Sequence, residues 1–265
     1  LAAIAAFVTI AQLSATSLLP DLSTDRPDAT ESPYTVPRGH WQIEADLFIY
    51  SKDASIPGLP GVKEVSYSVG VTNIKYGISD RIDLQLVIEP YTEIHTSAGG
   101  ITTVASGFGD ITLRAKWRFT PIDPNGTWAF LPYLKIPTAD RSIGNQKIEG
   151  GFVIPFTTEL PLGWDFGFQA GAEWVRLDPI ETQDYAFTPL ATVVFGHAIS
   201  QQAALFFELS GAYDTFTSSD SLALSFNTGG TYALSDEVQL DIGVATGLTR
   251  AATDLTFFAG YSHRW

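Results

Sequence analysis

The sequence predicts an all-β fold, a single antiparallel up-and-down barrel of about twelve strands, and three observations predict it. From His40 onward, twelve runs of strand character follow one another, most of them ten to fifteen residues long. The connections between them alternate between short turns and longer loops. The last run, DLTFFAGYSHRW, sets Phe257, Ala259, Tyr261, His263 and Trp265 on one face and Thr256, Phe258, Gly260, Ser262 and Arg264 on the other. A large aromatic thus completes a period-two pattern where polar tails are usual.

The chain opens with residues 1–20, which carry no charge and contain LAAIAAFVTIAQL. A membrane helix needs about 20 apolar residues. The Ala-rich, Leu-poor character of this run and its small residues from Ser14 to Ser17 fit the apolar region of a signal peptide better. The expected division is a removed signal peptide over 1–17, a periplasmic N-terminal segment or plug over 18–39, and a transmembrane barrel over 40–265. The absence of Met agrees with a chain trimmed at its start.

In the first strand Trp41, Ile43, Ala45, Leu47 and Ile49 face one way, and Gln42, Glu44 and Asp46 the other. Parity slips between Val71 and Ile74, which marks either a bulge or a misread strand there. The clearest alternation is over 110–119: Ile111, Leu113, Ala115, Trp117 and Phe119 against Asp110, Thr112, Arg114, Lys116 and Arg118. Three cations on one face and apolar groups on the other suit a wall with lipid outside and water inside. Residues 185–207 are long and uncharged enough for a helical span, but Pro189 and Gly196 would break one. Two strands joined at AISQ explain them better.

Tight turns are expected at ISDR, PIDPNG, LPLG, AISQ and LSDE. Longer connections are SKDASIPGLPGVK, HTSAGGITTVASG, TADRSIGNQ and DPIETQ, then the shorter TFTSS and TRAAT. Outer-membrane barrels alternate in this way, with turns in the periplasm and loops outside, and an even strand count puts both termini in the periplasm. Trp41, Trp117, Trp128, Trp164, Trp174 and Trp265 fall near strand ends, as do Tyr76, Tyr185, Tyr213 and Tyr261. Aromatic girdles would place them so, and so would plain β-propensity.

Composition narrows the function. A net charge of −14 argues against nucleic acid as a partner. With no Cys there is no disulfide frame and no thiolate metal site. No cofactor, metal or nucleotide motif is present. The four histidines, His40, His95, His197 and His263, have no metal-ligand spacing, and no Gly-x-Ser-x-Gly elbow occurs. His95, beside Thr96 and Ser97, is the least implausible catalytic group in a chain read as a non-enzyme.

Inward charges then become the candidate pore lining. Arg114, Lys116, Arg118 and Lys135 lie on two neighbouring strands; Glu44, Asp46, Asp83, Glu89, Glu149, Glu173, Glu208 and Asp241 are spread over the rest. They form either a transverse field that orients a polar solute or a set of structural pairs, with Asp83 and Glu89 neutralising Arg114 and Arg118. The acidic excess favours cations or neutral solutes. Inward small residues, Gly70, Gly151, Gly167, Gly171, Ala212, Gly229 and Gly243, signal open space or relief of crowding. Twelve strands enclose a narrow lumen. Asp25, Arg26, Asp28 and Glu31 sit in a Pro-punctuated segment that is either a solvated tail or a plug in which Arg26 meets a luminal carboxylate. Loop acids Asp53, Asp178, Glu181, Asp184 and Asp220 are either solvated or bridge divalent ions to lipopolysaccharide.

Residues 23–50, STDRPDATESPYTVPRGHWQIEADLFIY, resemble the opening signature of the outer-membrane transporter family labelled after the meta-cleavage pathway of phenol degradation. GDITLRAKWRF, AFLPYLKIPTA, EGGFVIPFTTELPLGWDFGFQ and the aromatic terminus extend the resemblance to 23–265. It implies an outer-membrane channel that passes small aromatic or otherwise hydrophobic solutes by passive diffusion. The ending at Phe257, Tyr261, His263 and Trp265 resembles the insertion signal of such barrels. The implied partners are outer-membrane lipid and lipopolysaccharide, the barrel-assembly machinery and a small-molecule solute, with the chain acting as a monomer. The alternative reading is a plugged barrel serving as a surface hydrolase or structural protein.

Overall fold

A computed structural model of the chain describes residues 19–56, 59, 61–176, 185–213 and 222–265. The expected signal peptide over 1–17 and the loop acids Asp178, Glu181, Asp184 and Asp220 lie outside the described residues. The described chain holds fifteen strand segments: β1 (Trp41–Asp53), β2 (Lys63–Val69), β3 (Val71–Ser79), β4 (Ile82–Ile88), β5 (Tyr91–Ala98), β6 (Ile101–Gly107), β7 (Ile111–Arg118) and β8 (Thr127–Ile136) come first. They are followed by β9 (Glu149–Leu160), β10 (Trp164–Arg176), β11 (Tyr185–Ala198), β12 (Ala203–Tyr213), β13 (Leu222–Ser235), β14 (Val238–Gly247) and β15 (Leu255–Arg264). All pairings are antiparallel, and β1 joins β15 to close a twelve-stranded barrel. Trp41 and Trp265 exchange backbone hydrogen bonds of 3.0 and 2.9 Å at that seam.

The count of fifteen against twelve comes from three interrupted strands. β2 runs into β3 across Gly70, β4 into β5 across Glu89–Pro90, and β6 into β7 across Phe108–Asp110. Proline cannot donate to a ladder, and Gly70 at φ +73° leaves the extended region, so both break a strand. The breaks are neighbours in the sheet, and beyond them β2, β5 and β6 form a flap hanging from the upper part of β1. HTSAGGITTVASG, expected as a loop, is therefore the β5–β6 hairpin, turning at Gly99 and Gly100 with positive φ. Val, Ile and Thr give it strand propensity that the many small residues masked. The two-strand reading of 185–207 is the structure found, as β11 and β12.

The expected slip between Val71 and Ile74 does not occur, since β3 keeps one parity from Val71 to Tyr76. The irregularity lies opposite, between Asp46 and Phe48 on β1. Leu47 is the extra residue, so Phe48 faces outward and Ile49 turns inward, contrary to the simple alternation. A bulge on one strand and a break on its partner leave the same mark in a sequence.

Burial is inverted relative to a water-soluble core. Leu84, Leu113, Phe207, Leu209 and Ile242 are exposed on the outer face, whereas Gln42, Glu44, Lys75, Asp83, Lys116 and Glu208 are buried inside. Trp41 meets Tyr76 (4.7 Å between rings) and Trp164 stacks on His197 (4.7 Å) at the short-turn end. Trp174 meets Phe187 (5.5 Å) at the long-loop end, so rings ring both edges of the apolar band. Ile242, 66 % exposed near the middle of β14, tests the face directly. Ile242→Arg is expected to lower unfolding free energy in lipid vesicles by about 2–4 kcal/mol, as read by denaturant titration. An unchanged midpoint would mean that this face does not meet hydrocarbon.

Candidate functional site: the lumen and its inserted segment

Residues 20–36 cannot join the wall, because Pro20, Pro27 and Pro33 interrupt any ladder. They enter the barrel from the short-turn end and are gripped from almost every side. Arg264 donates to the Pro20 carbonyl (2.7 Å), Gln42 to that of Ser23 (2.8 Å), and Gln239 to the Thr24 hydroxyl (3.1 Å). Further in, Val36 N–H donates to Asp83 (3.0 Å), Ala29 N–H to Glu208 (2.8 Å) and Glu31 N–H to Gln169 (2.9 Å). The Gln169 amide returns a bond to the Ala29 carbonyl (2.9 Å), so one side chain serves as both donor and acceptor for an irregular backbone.

Charges set the register. Asp25 lies between Lys75 of β3 and Lys116 of β7, and Lys75 also pairs with Glu44. Lys116 completes its shell on the Ser32 carbonyl (2.7 Å). Arg26 bridges two strands at the seam, Asp46 at 2.5 Å and Asp241 at 2.8 Å. Arg114 pairs with Glu31, the Thr30 hydroxyl donates to Glu208 (2.6 Å), and Tyr133 donates to Glu173. Burial acts against the Asp25 anion, but Lys116 and Lys75 outweigh it and hold its carboxyl well below the ordinary range. For Glu31 burial wins over Arg114, and the carboxyl is pushed up to about 6. For Asp28, burial and then the Glu208 charge raise the carboxyl well above its usual value.

Not every charge expected at the lumen meets its expected partner. Asp83 and Glu89 do not neutralise Arg114 and Arg118: the register sets Asp83 across from Lys116 and Gln85 across from Arg114. Asp83 takes the Val36 amide and the Gln85 side chain, while Arg118 donates to the carbonyls of Asp80 (2.5 Å) and Thr120 (2.9 Å). Glu89 sits at the β4–β5 break beside Gly109. Lys135 bridges Asp110 (3.2 Å) and Glu149 at the long-loop rim. Asp53 accepts from Ser55 N–H (3.0 Å) at the end of β1.

Sequence reading missed Lys75, because the assumed slip hid its inward parity; it set Gln42 on the inward face without giving it a role, and it did not single out Gln169 or Asn227. Four of the small inward residues are seats rather than open space. The Phe258 ring lies over Gly243, the Phe206 ring over Gly229, and the Tyr133 ring over Gly151; Thr30 approaches Gly167. Gly260 has the same use, since a Cβ there would run into the Arg26 guanidinium.

The segment divides the lumen. On the short-turn side lies a cavity of about 740 Å³, bounded by residues that include Tyr34, Arg118, Glu159, Asp165 and Phe206. On the long-loop side a second, of about 840 Å³, has Arg26, Asp28 and Glu31 in its floor and Ile49, Leu131, Val153, Leu190 and Phe258 in its walls. Among the described residues no group of His, Cys, Asp and Glu is placed to hold a metal ion. His95 pairs with Glu93 (2.6 Å) and meets the edge of Tyr67, out on the flap.

A closed twelve-stranded barrel with a charged lumen and an apolar outer band is the fold of outer-membrane channels and porins. The chain belongs to the family described as "Putative MetA-pathway of phenol degradation", which it matches over residues 24–265. Its fold is similar to an outer-membrane channel of Pseudomonas putida F1 (TM-score 0.71, 15% identity, 88% of this chain and 98% of that one). It is also similar to the β domain of the Bordetella autotransporter BrkA (0.55, 14%, 86% and 99%) and to the NanC porin (0.53, 9%, 84% and 98%). No curated protein matches the sequence.

The seat at Gly260 yields a direct test of what positions the segment. Gly260→Leu should drive Arg26 off Asp46 and Asp241, and a spin label at position 29 should change from immobile to mobile in a folded barrel. An unchanged spectrum would show that the Arg26 pairs do not hold the segment.

Proposed function

We propose that the protein is a bacterial outer-membrane channel that passes small aromatic or otherwise hydrophobic solutes by passive diffusion. The observation that carries this reading is the division of a continuous lumen into two cavities of about 740 and 840 Å³ by a segment held through side chains alone. Cavities of this size suit a small organic molecule. The outer-membrane channel of Pseudomonas putida F1 among the similar structures supports the channel reading, and the phenol-degradation family to which the chain belongs supports an aromatic class of solute.

In this reading the short turns face the periplasm, together with both termini, and the flap faces outward. The luminal charges Glu44, Asp46, Asp83, Arg114, Lys116, Glu208 and Asp241 hold the segment of Asp25, Arg26, Asp28 and Glu31 across the path as a plug, and Arg118 lines the short-turn-side cavity. Glu89, Lys135, Glu149 and Glu173 line the outer entrance. The chain works as a monomer without enzymatic chemistry, and rim groups meet lipopolysaccharide. Phe257, Tyr261, His263 and Trp265 serve the barrel-assembly machinery as an insertion signal. Deleting Trp265 should then lower the yield of assembled barrel in cells while detergent refolding in vitro persists; equal yields in cells would remove that role.

The plug is tested by conductance. A chain lacking residues 20–36, refolded into planar bilayers, should conduct severalfold more than the intact protein, because the strand-only lumen of a twelve-stranded barrel leaves a water path. Equal conductance would mean that the segment does not limit passage.

A further inference from the structure

The long-loop-side cavity has an unbalanced lining. Six charged side chains reach it: Arg26, Asp28, Glu31, Asp46, Arg114 and Glu173. Both cations are committed, Arg26 to Asp46 and Asp241, Arg114 to Glu31. Among the described residues Asp28 and Glu173 pair with no cation; Glu173 has only the Tyr133 hydroxyl. Asn227 lines the same space, is 6 % exposed, and directs both described amide bonds, at 2.6 and 3.1 Å, to Glu208 and Ser210. Its Oδ1 has no partner. A buried acceptor without a donor carries a desolvation cost that a donor-bearing ligand removes.

Asn227 and Asp28 are near one another through Glu208, which accepts both the Asn227 amide and the N–H of Ala29, the residue next to Asp28. Acceptors therefore gather at one end of a cavity whose other walls, Ile49, Leu131, Val153, Leu190 and Phe258, are apolar. We propose that this cavity is a binding station for small hydrophobic amines: the ammonium group meets Asp28 and the Asn227 Oδ1, and the aromatic or aliphatic body lies against the apolar wall. The assignment rests on the channel reading above and narrows its solute to a cationic class, with carboxylates and sulfonates rejected. Burial, Glu208 of β12 and the neighbouring Asp25 and Glu31 all disfavour a bare Asp28 anion. A carboxyl so placed holds a proton or meets a cation, and an ammonium can take the place of that proton.

Three probes of comparable size separate the terms: benzylammonium, benzyl alcohol and benzenesulfonate, titrated calorimetrically into the full-length protein in micelles. The cation should bind roughly tenfold or more tightly than the alcohol, the scale of one charge-assisted contact, and the sulfonate should give no heat. In Asp28→Asn the cation should fall to the level of the alcohol, with the alcohol unchanged. Asp28 has no described side-chain partner, so the variant keeps the segment's anchors; Glu173→Gln gives a second reading if it does not fold. Equal affinity for all three probes, or a cation preference that survives both substitutions, overturns the proposal. Calorimetry does not depend on conduction, so a bilayer that passes no current with the cation still bound would count against the channel and leave the amine site standing.

Discussion

Everything inside this barrel follows from the carboxylate of Asp25 lying between Lys75 and Lys116. Two buried lysines reach inward from the same stretch of wall, with only β4 between their strands, and their like charges call for an anion between them; Glu44 reaches only one of them. Asp83, the wall acid across from Lys116, is engaged instead by the Val36 amide and the Gln85 side chain. A piece of chain outside the ladder supplies the anion. Once Asp25 is placed, Arg26 falls between Asp46 of β1 and Asp241 of β14, and Glu31 falls against Arg114. The inserted segment is thus as much a part of the folded barrel as any strand.

That dependence explains the glycines. A wall lined throughout with large side chains would leave no room for a second layer. Gly260 and Gly167 hold the segment close to the wall, and Gly229 and Gly243 take in rings that would otherwise obstruct the lumen. The same economy of space leaves a cavity on each side, one of them lined by aliphatic groups and acceptors. Closure in lipid and the pairing of inner polar groups are separate demands, met by different residues of the same strands.

The flap shows how the two ends of the barrel differ. At the short-turn end each strand is joined to its neighbour by a short connection, with small register shifts between Gly77 and Ser79 and between Ala233 and Ser235. At the other end Gly70, Pro90 and Gly109 interrupt three adjacent strands, and the chain continues beyond as a three-strand extension of the sheet, attached through the β1–β2 pairing with β6 at its edge. Breaks made of glycine and proline preserve strand direction while freeing the upper sheet from barrel curvature.

Much of this was legible before any coordinates. Alternation over residues 110–119, the turns at ISDR, LPLG, AISQ and LSDE, and the aromatic last strand are local patterns, and a lipid-spanning strand must write them into its own ten residues. The sequence by itself therefore determined the barrel, its approximate strand number, and the inward parity of Glu44, Arg114, Lys116, Glu208 and Asp241. Pairing was not legible. Which of the eight inward acids meets which cation depends on register and on the path of residues 20–36, and neither leaves a local trace. Asp83 was matched to a cation in sequence and meets a backbone amide in the fold. Lys75 was lost behind a parity slip that belongs to the neighbouring strand. Tertiary structure decided these points because a charge within a closed wall is neutralised by whatever crosses the lumen nearest to it, and nearness there has no relation to distance along the chain.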